Sequence, residues 1–347
     1  MIRKTVISLA LISVLLYAAF CPPLSAKDKM PIITVGASPL MSSAGIYIAK
    51  EKGYFKDEGL DVDLTMFGSA GAQMTVLLSN GSLDVGGGGV TAGLLRAINQ
   101  GAGIKLVADK GSMQKGTSQL ALLVRSDHIA SGRYKSYRDL KGFTIGLIML
   151  EGSNMSMIIK KFLDRGNVPL ADVKFIKIPF PAMNIGFMNK GIDAAVQSEP
   201  YVAKAVMDQI AVRVAGVDEV FPGIQGGIIF YSVKFIKEKK DLAEKFMVAY
   251  LKGLRDYNDA FKKGIKKNEI LDILKKYIKL EPEDLWNRVV LASLNPDGYI
   301  NIQSVQEQIQ WFEDNKLIEK APSIEQLIDH SFIEKAIKKL GKYKNNE

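Results

Sequence analysis

One stretch, Leu83-Asp84-Val85-Gly86-Gly87-Gly88-Gly89-Val90-Thr91, limits the possible folds of this chain more than any other. A short apolar run leads into four consecutive glycines, and an apolar helical pattern starts directly after them. Glycine weakens helices and strands alike, so this run predicts a bend where another group approaches bare backbone. Where a strand end turns into a helix start, unpaired N–H groups attract anions and carbonyl oxygens. The stretch therefore predicts a binding turn between a strand and a helix.

Two other interpretations of the same stretch remain open at this point. Gly87, Gly89 and Ala92 match the dinucleotide fingerprint G-x-G-x-x-A, and Asp109 lies near the distance expected of a ribose-binding acid. The strand before the glycines is short for a buried Rossmann strand, which disfavours this dinucleotide-binding oxidoreductase. A plain glycine turn without a ligand is the second alternative.

The N-terminus has the layout of a secretory signal peptide. Arg3 and Lys4 precede an apolar run over 5–20, and the run Leu24-Ser25-Ala26 supplies a small residue for cleavage. We therefore expect residues 1–26 to be removed after Ala26 and the mature protein to be periplasmic. The alternative is a lipid anchor at Cys21, the only cysteine of the chain, which is disfavoured because bulky Phe20 precedes it.

Composition favours a globular protein with room for two lobes. The chain has 347 residues, of which 47% are hydrophobic and 24% charged, and a formal net charge of +9. Its lysines crowd the C-terminal third with acids interleaved, which indicates solvated helix faces and argues against a nucleic-acid partner.

Catalytic motifs are missing from the sequence. There is no G-x-S-x-G and no P-loop, and the two histidines, His128 and His330, are interpreted as surface residues. A mature chain without cysteine would also have no thiolate ligand for a metal. We therefore expect no catalytic residue, no metal site and no cofactor.

The order of predicted elements occurs twice along the chain. Apolar runs predict strands over 31–37, 60–67 and 83–85, and again over 143–147, 173–178 and 192–196, with helices between them. The closest local echo is Asn80-Gly81-Ser82-Leu83-Asp84-Val85 against Asn189-Lys190-Gly191-Ile192-Asp193-Ala194. The repetition predicts an α/β protein with two doubly wound βαβαβ lobes and loops gathered at the strand C-termini.

Two extended apolar segments, 119–125 and 226–233, are predicted to cross between the lobes, with hinge residues near Arg125 and Gly226. The expected domains are a first lobe over 27–124, a second lobe over 125–226, and a return to the first lobe over 227–347. Amphipathic blocks predict C-terminal helices near 241–262, 268–278, 282–294, 302–315 and 323–340.

Lobe closure would bring the strand-end loops to a ligand in the cleft, clamped between the glycine turn and the helix start near Ser153. Serine, threonine and glycine recur at these loops, although each alone is an ordinary helix cap. Lys110 is the one plausible cation. The candidate ligand-binding residues are Ser38, Ser42, Ser43, Gly68, Ser69, Ala70, Gly87, Gly88, Gly89, Thr91, Lys110, Glu151, Gly152, Ser153, Asn154, Phe180, Ser198, Glu199 and Tyr201.

Several motifs together give the chain a resemblance to a known family. It resembles the solute-binding proteins of ABC importers in the nitrate/sulfonate/taurine group, which are related to thiamine-pyrimidine-precursor binding proteins. The resemblance covers nearly all of the mature chain. The motifs that carry it are the segment 47–60, the Leu83-Asp84-Val85-Gly86 turn, Asp139-Leu140-Lys141-Gly142 with Ile145-Gly146, Ile192-Asp193-Ala194-Ala195, and Ser198-Glu199-Pro200-Tyr201.

This resemblance implies a type II periplasmic-binding fold and capture of a small solute between the lobes. It also implies delivery to the transmembrane subunits of an ABC permease, with the cytoplasmic ATPase as an indirect partner, by a monomer. Eukaryotic relatives that make a thiamine pyrimidine raise an enzyme alternative, but they use histidine and a cysteine-containing iron motif that this chain lacks. The sequence leaves a sulfonate, taurine, nitrate, a carboxylate and an amino-pyrimidine all open as ligands.

Overall fold

The structure is a computed structural model that describes residues 30–68, 72–149 and 152–344. The predicted signal peptide, Cys21 and the candidate site residues Ser69, Ala70 and Glu151 lie outside the described residues. In the described part of the chain, no helix is both long and apolar enough to span a membrane.

The strands of the described residues form two five-stranded sheets. In chain order they are β1 Ile32–Ala37, β2 Asp61–Met66, β3 Val85–Gly88, β4 Ile104–Ser112, β5 Leu120–Arg125, β6 Thr144–Leu147, β7 Lys174–Lys177, β8 Ala194–Ser198, β9 Ala211–Gly216 and β10 Gln225–Ser232.

The helices cover both sheets and fill the C-terminal third. They are α1 Ala44–Glu51, α2 Tyr54–Asp57, α3 Ala72–Ser79, α4 Ala92–Asn99, α5 Ser126–Ala130, α6 Asn154–Arg165, α7 Phe180–Met188, α8 Tyr201–Met207, α9 Val233–Glu238, α10 Lys240–Lys263, α11 Lys267–Tyr277, α12 Ile302–Asp314, α13 Ile324–Leu327 and α14 Ser331–Leu340. Short 3-10 helices lie at Met41–Ser43, Tyr137–Leu140, Leu170–Asp172, Val217–Glu219 and Glu283–Asn287.

The two sheets have equivalent strand orders, which confirms the predicted pair of doubly wound lobes. The order is β2-β1-β3-β10-β4 in the first and β7-β6-β8-β5-β9 in the second. In each sheet, the strand that follows the crossing from the other lobe is antiparallel to the third strand of the repeat. This strand is β10 beside β3 in the first sheet and β5 beside β8 in the second. Parallel strands with helical crossovers place the loops at their C-terminal ends, so the two sets of loops face the same cleft.

The sequence echo between the lobes corresponds to one repeated hydrogen-bond motif. The Asp84 carboxylate accepts from the Thr34 backbone N–H at 3.0 Å, and the Asp193 carboxylate accepts from the Thr144 N–H at 2.9 Å. In each lobe, therefore, an aspartate at the entrance to the third strand fixes the first strand beside it.

The connections between the two sheets lie elsewhere than the predicted crossings. β5 belongs to the second sheet over its whole length, whereas the expected boundary placed residues up to 124 in the first lobe. Arg125 lies at the end of β5 that is away from the crossing. The connections between the sheets are 113–119 and 217–224, which pair with each other through Met113 N to Ile224 O at 3.0 Å and Gly223 N to Met113 O at 2.8 Å. Gly226, the other predicted hinge residue, lies just beyond the second connection, near the start of β10.

The glycine stretch is mainly a strand and not a bend. Gly86, Gly87 and Gly88 pair with β10 as the central part of the first sheet, and only Gly89 to Thr91 form the turn into α4. The prediction was wrong at this point because the intrinsic preference of glycine is overridden by pairing of these glycines with β10. The sequence analysis also missed β9, which pairs with β5.

Two C-terminal helices were predicted too long. The block 282–294 has only the short 3-10 turn at Glu283–Asn287, because Val290 and Ser293 use their backbone groups for tertiary contacts. The block 323–340 is broken between α13 and α14, where Ile328 forms a parallel bridge with Leu106 of β4. In both places, contact with the rest of the protein outweighs helix propensity.

Candidate ligand site

A small cavity of about 110 Å³ lies between the carboxyl ends of the two sheets. Drug-sized pockets are typically about 300–1,000 Å³, so this cavity suits a ligand of few heavy atoms. The described residues that line it are Leu40, Ser42, Gly88, Gly89, Thr91, Lys110, Met113, Gln119, Leu120, Ile148, Met149, Ser153, Asn154, Met155, Phe180, Ser198, Gly226 and Gly227.

Most of the described candidate residues lie at this cavity. Those that line it are Ser42, Gly88, Gly89, Thr91, Lys110, Ser153, Asn154, Phe180 and Ser198. Those that lie outside the lining are Ser38, Ser43, Gly68, Gly87, Gly152, Glu199 and Tyr201.

The residues outside the lining have other surroundings. Ser43 Oγ accepts from the Ser38 N–H at 3.4 Å in the buried loop behind Ser42. Tyr201 lies on a separate pocket with Tyr277 and Met66. Glu199 is buried and binds two backbone N–H groups, so it does not face the cavity. These positions lie outside the lining because a helix start can face its own lobe or the neighbouring one as easily as the cleft.

The apolar wall of the cavity was missed by the sequence analysis. Its members are Leu40, Met113, Leu120, Ile148, Met149 and Met155. An apolar side chain at a strand end looks the same in sequence whether it faces a core or a ligand, whereas a polar group there points to a site. The adjacent pair Ile148-Met149, apolar residues directly after a buried strand, was the available signal.

Lys110 supplies a buried cation to the site. It is 3% exposed, and its Nζ donates to Ser42 Oγ at 2.9 Å. Burial lowers the pKa of the Lys110 ammonium to about 8, although the neighbouring Asp109 charge opposes this shift. No described carboxylate lies within ion-pair distance of Nζ, so the ammonium keeps donor capacity for an anion.

Two glycines, Gly87 in β3 and Gly89 just after it, make room for the polar groups of the site. A Cβ on Gly87 would lie 2.7 Å from Lys110 Cδ, so the lysine stem crosses β3 where no side chain stands. A Cβ on Gly89 would lie 3.3 Å from Asn154 Nδ2 and from Gly226 O. The glycines thus serve the site by close approach of side chains, one from each lobe, to the backbone.

Asn154 contributes an unpaired donor from the second lobe. It is the first residue of α6 and 4% exposed, and its Nδ2 has no hydrogen-bond partner among the described residues. A buried amide without a partner costs free energy, so this position favours a ligand that accepts a hydrogen bond. The positive end of the α6 dipole also favours a ligand with negative charge at this position.

The lobes meet directly beside the cavity. The Ala92 N–H donates to Gly152 O at 2.7 Å, and Thr91 and Ser153 form an antiparallel bridge. Gly152 has a φ of +67° and lies against the Ala92 side chain. The glycine turn and the opposite helix start therefore touch in this closed arrangement of the lobes.

Asp109 has a structural role that removes the dinucleotide interpretation. Its buried carboxylate accepts from Gln225 Nε2 at 2.6 Å and from the Asn295 N–H at 2.8 Å, and burial raises its pKa to about 6. Gly87 lies inside a strand and not in a phosphate-binding turn. The oxidoreductase alternative is therefore wrong in its geometry.

His128 differs from its expected surface position. It is 4% exposed and lies 2.7 Å from Asp193 through Nε2, beside Arg125. This cluster lies away from the cavity lining, at the outer end of the second lobe.

Comparison with known proteins gives a consistent family. Residues 41–260 match the family described as NMT1/THI5 like. A protein of Brucella abortus named as a binding protein is 27% identical over 293 residues, covering 81% of this chain and 85% of its own. A protein of Bacillus subtilis named as an aliphatic sulfonates-binding protein is 26% identical over 341 residues, covering 95% and 96%.

Solved structures share the fold at low identity. The ligand-binding component of an ABC-type import system from Staphylococcus aureus has a TM-score of 0.74 at 15% identity, covering 88% of this chain and 99% of its own. The periplasmic aliphatic sulphonate binding protein SsuA from Escherichia coli has a TM-score of 0.67 at 18% identity, covering 86% and 92%. The desulfurization enzyme DSZB has a TM-score of 0.64 at 14% identity, covering 89% and 99%, so the fold itself also supports catalysis.

Proposed function

This chain belongs to the NMT1/THI5-like family, and we propose that it is the extracytoplasmic solute-binding component of an ABC importer. In this proposal, the lobes close on a small solute in the cleft, and the closed protein presents it to the permease. Relatives and structural neighbours that bind solutes for ABC-type import support this function. We further propose that the protein is a periplasmic monomer and not an enzyme.

The buried Lys110 ammonium at the cavity is the observation that carries the proposal. A charge removed from water is costly unless it is paired, and among the described residues Lys110 Nζ donates to a serine hydroxyl but forms no ion pair. A bound anion would supply the missing charge and would also accept from Asn154 Nδ2. The site is thus complete only with a ligand present.

Charge and lining define the class of ligand. Lys110 is the only cation among the described lining residues, so one negative charge is balanced and a second would be buried without a partner. Apolar side chains such as Met113, Met155 and Phe180 form the remaining wall. We propose a small organic monoanion with a short apolar part, of which an alkanesulfonate is one example. Taurine fits less well because its ammonium has no described carboxylate partner in the cavity.

Binding to a panel of anions tests this proposal. Calorimetric titration with ethanesulfonate, butyrate, taurine, nitrate and sulfate should give the tightest binding for a monoanion with an alkyl part, and no binding for sulfate. Lys110→Met should abolish binding, whereas Lys174→Met, on exposed strand β7, should not. Binding of sulfate at least as tight as that of the alkyl monoanions, or unchanged binding to Lys110→Met, would contradict the proposal.

A further inference from the structure

Glu199 is a buried carboxylate at the junction of the two lobes. It lies between the end of β8 and the start of α8 and is 1% exposed. Its Oε2 accepts from the Ala203 N–H at 3.1 Å, and its Oε1 accepts from the Val290 N–H at 3.0 Å. Each carboxylate oxygen is therefore used by a different backbone donor.

The two donors belong to different lobes. Ala203 lies on α8, which follows a strand of the second sheet. Val290 lies in a segment fixed to the first lobe, because Ser293 O accepts from the Ser112 N–H at 3.0 Å and the Asn295 N–H donates to Asp109 at 2.8 Å. The Glu199 side chain thus connects the lobes directly.

No described cation lies within ion-pair distance of this carboxylate, although Arg213 acts on it from farther away. Within the described residues Glu199 forms no ion pair, and burial raises its pKa to about 7 although both N–H donors and the Arg213 charge lower it. Burial of an unpaired acid costs free energy, so packing alone would favour an apolar residue here. A carboxylate suits the position because both of its oxygens accept, whereas an amide would turn its NH2 group towards one of the donors.

The Glu199 bridge, meaning its two hydrogen bonds to Ala203 and Val290, lies beside the candidate ligand site without forming part of it. The Glu199 N–H donates to Gln119 O at 2.8 Å, and Ser198 Oγ donates to Glu199 O at 3.2 Å. Gln119 and Ser198 both line the cavity, and Gln119 ends the first connection between the sheets. The backbone at Glu199 is therefore held against the cavity wall while its side chain reaches the other lobe.

We propose that Glu199 is the positioning residue that fastens the second lobe to the C-terminal part of the first in the closed, ligand-holding arrangement. It contacts no ligand and acts by holding the two lobes together. This inference rests on the two-lobe binding function proposed above.

The bridge makes closure depend on pH. The charged groups on the elements around Glu199 are Arg213 on β9, Lys204 on α8, which pairs with Asp208, and Arg288 near Val290. The 3-10 turn that packs against α8 adds Asp284 and Glu283, the latter paired with Lys275. On opening, the carboxylate meets water and its pKa falls towards the ordinary value of about 4.3. The closed state therefore binds a proton more tightly, and closure is favoured as pH falls from about 7 towards about 4.5. Within this window, each pH unit changes the equilibrium constant for closure by up to about tenfold.

Hydrogen exchange of the ligand-free protein tests the bridge without reference to any ligand. Glu199→Gln should speed exchange of the Val290 amide at least about tenfold, because its partner is lost or misoriented. Glu307→Gln, on the exposed face of α12, is the matched control and should leave Val290 unchanged. Equal protection of Val290 in wild type and Glu199→Gln would overturn the proposal.

The pH profile separates this role from a merely structural one. Its wild-type measurement can be made even if the variant does not fold. Small-angle scattering of the wild-type protein should give a radius of gyration that decreases between pH 7.5 and pH 5, and Glu199→Gln should show no such change. A pH-independent wild-type radius would overturn the proposed role. If the anion panel fails while Val290 exchange and the radius behave as expected, the ligand assignment is wrong and the bridge stands.

Discussion

The two lobes share one strand frame but contribute different chemistry to the cleft. Asp84 and Asp193 bind equivalent backbone groups in the two sheets. The first lobe supplies the buried cation Lys110, whereas the second supplies an amide donor, Asn154, and the aromatic wall at Phe180. The difference shows that the repeated frame fixes where loops meet, while individual loop residues decide what is bound.

Removing the cation of the first lobe should have the largest effect. Lys110→Met should weaken binding of an alkanesulfonate more than about 100-fold, because the ligand charge would be buried without a partner. The free energy of unfolding without ligand should not fall, since an unpaired buried ammonium is also removed. Calorimetry and urea unfolding measure the two effects. Binding retained within about threefold of wild type would place the anion elsewhere.

The equivalent aspartates should differ in their contribution to stability. Asp193 faces buried Arg125 and His128, whereas Asp84 has only the half-exposed Lys239 at 3.4 Å. Asp193→Asn should lower the free energy of unfolding by about 2 kcal/mol, because buried Arg125 then keeps only the half-exposed Asp127 as a charge partner. Asp84→Asn should lower it by about 1 kcal/mol, since Lys239 can turn to water. Equal losses in urea unfolding would contradict this difference between the lobes.

The titration of Lys110 should link binding to pH. Because burial lowers its pKa to about 8, the ammonium is lost above that pH, and anion affinity should then fall by up to about tenfold per unit. The stability of the ligand-free protein should change in the opposite sense. The unfolded chain keeps the proton until about pH 10.4, so unfolding becomes less favourable as pH rises from 8. Lys110→Met should remove this part of both pH profiles, as calorimetry and urea unfolding from pH 7 to 10 can show.

The donor of the second lobe should have the smallest effect. Asn154→Ala removes one neutral hydrogen bond to the ligand, so affinity should fall by about fivefold to tenfold, equivalent to about 1 kcal/mol. Stability without ligand should be preserved, since the amide has no partner there. Thr117→Ala, at a partly exposed residue that does not itself line the cavity, is a control for the calorimetric comparison. A loss as large as that of Lys110→Met would show that the second lobe carries the anion.

The frame could be predicted from sequence because apolar periodicity is a local property. The paired strands and the echo around Asp84 and Asp193 depend on residues adjacent in the chain. The glycine strand was misassigned because its pairing partner, β10, lies more than 130 residues away.

The site could be predicted only in its polar part. Lys110 and Asn154, two of the predicted polar residues, line the cavity because they lie near the end of a strand and at the start of a helix that meet there. Which way Glu199 turns, and which apolar side chains complete the wall, depend on how the lobes pack together. Neither has a local signal in the sequence.

The position of a bound monoanion tests the central claim most directly. Crystals grown with 2-bromoethanesulfonate give an anomalous bromine signal that marks the alkyl end, while the density shows the sulfonate. We expect the sulfonate at Lys110 Nζ and Asn154 Nδ2, with bromine against the apolar wall near Phe180. A cavity without bromine at saturating ligand, or bromine only in the outer pocket beside Tyr201 and Tyr277, would contradict an anion site between the lobes.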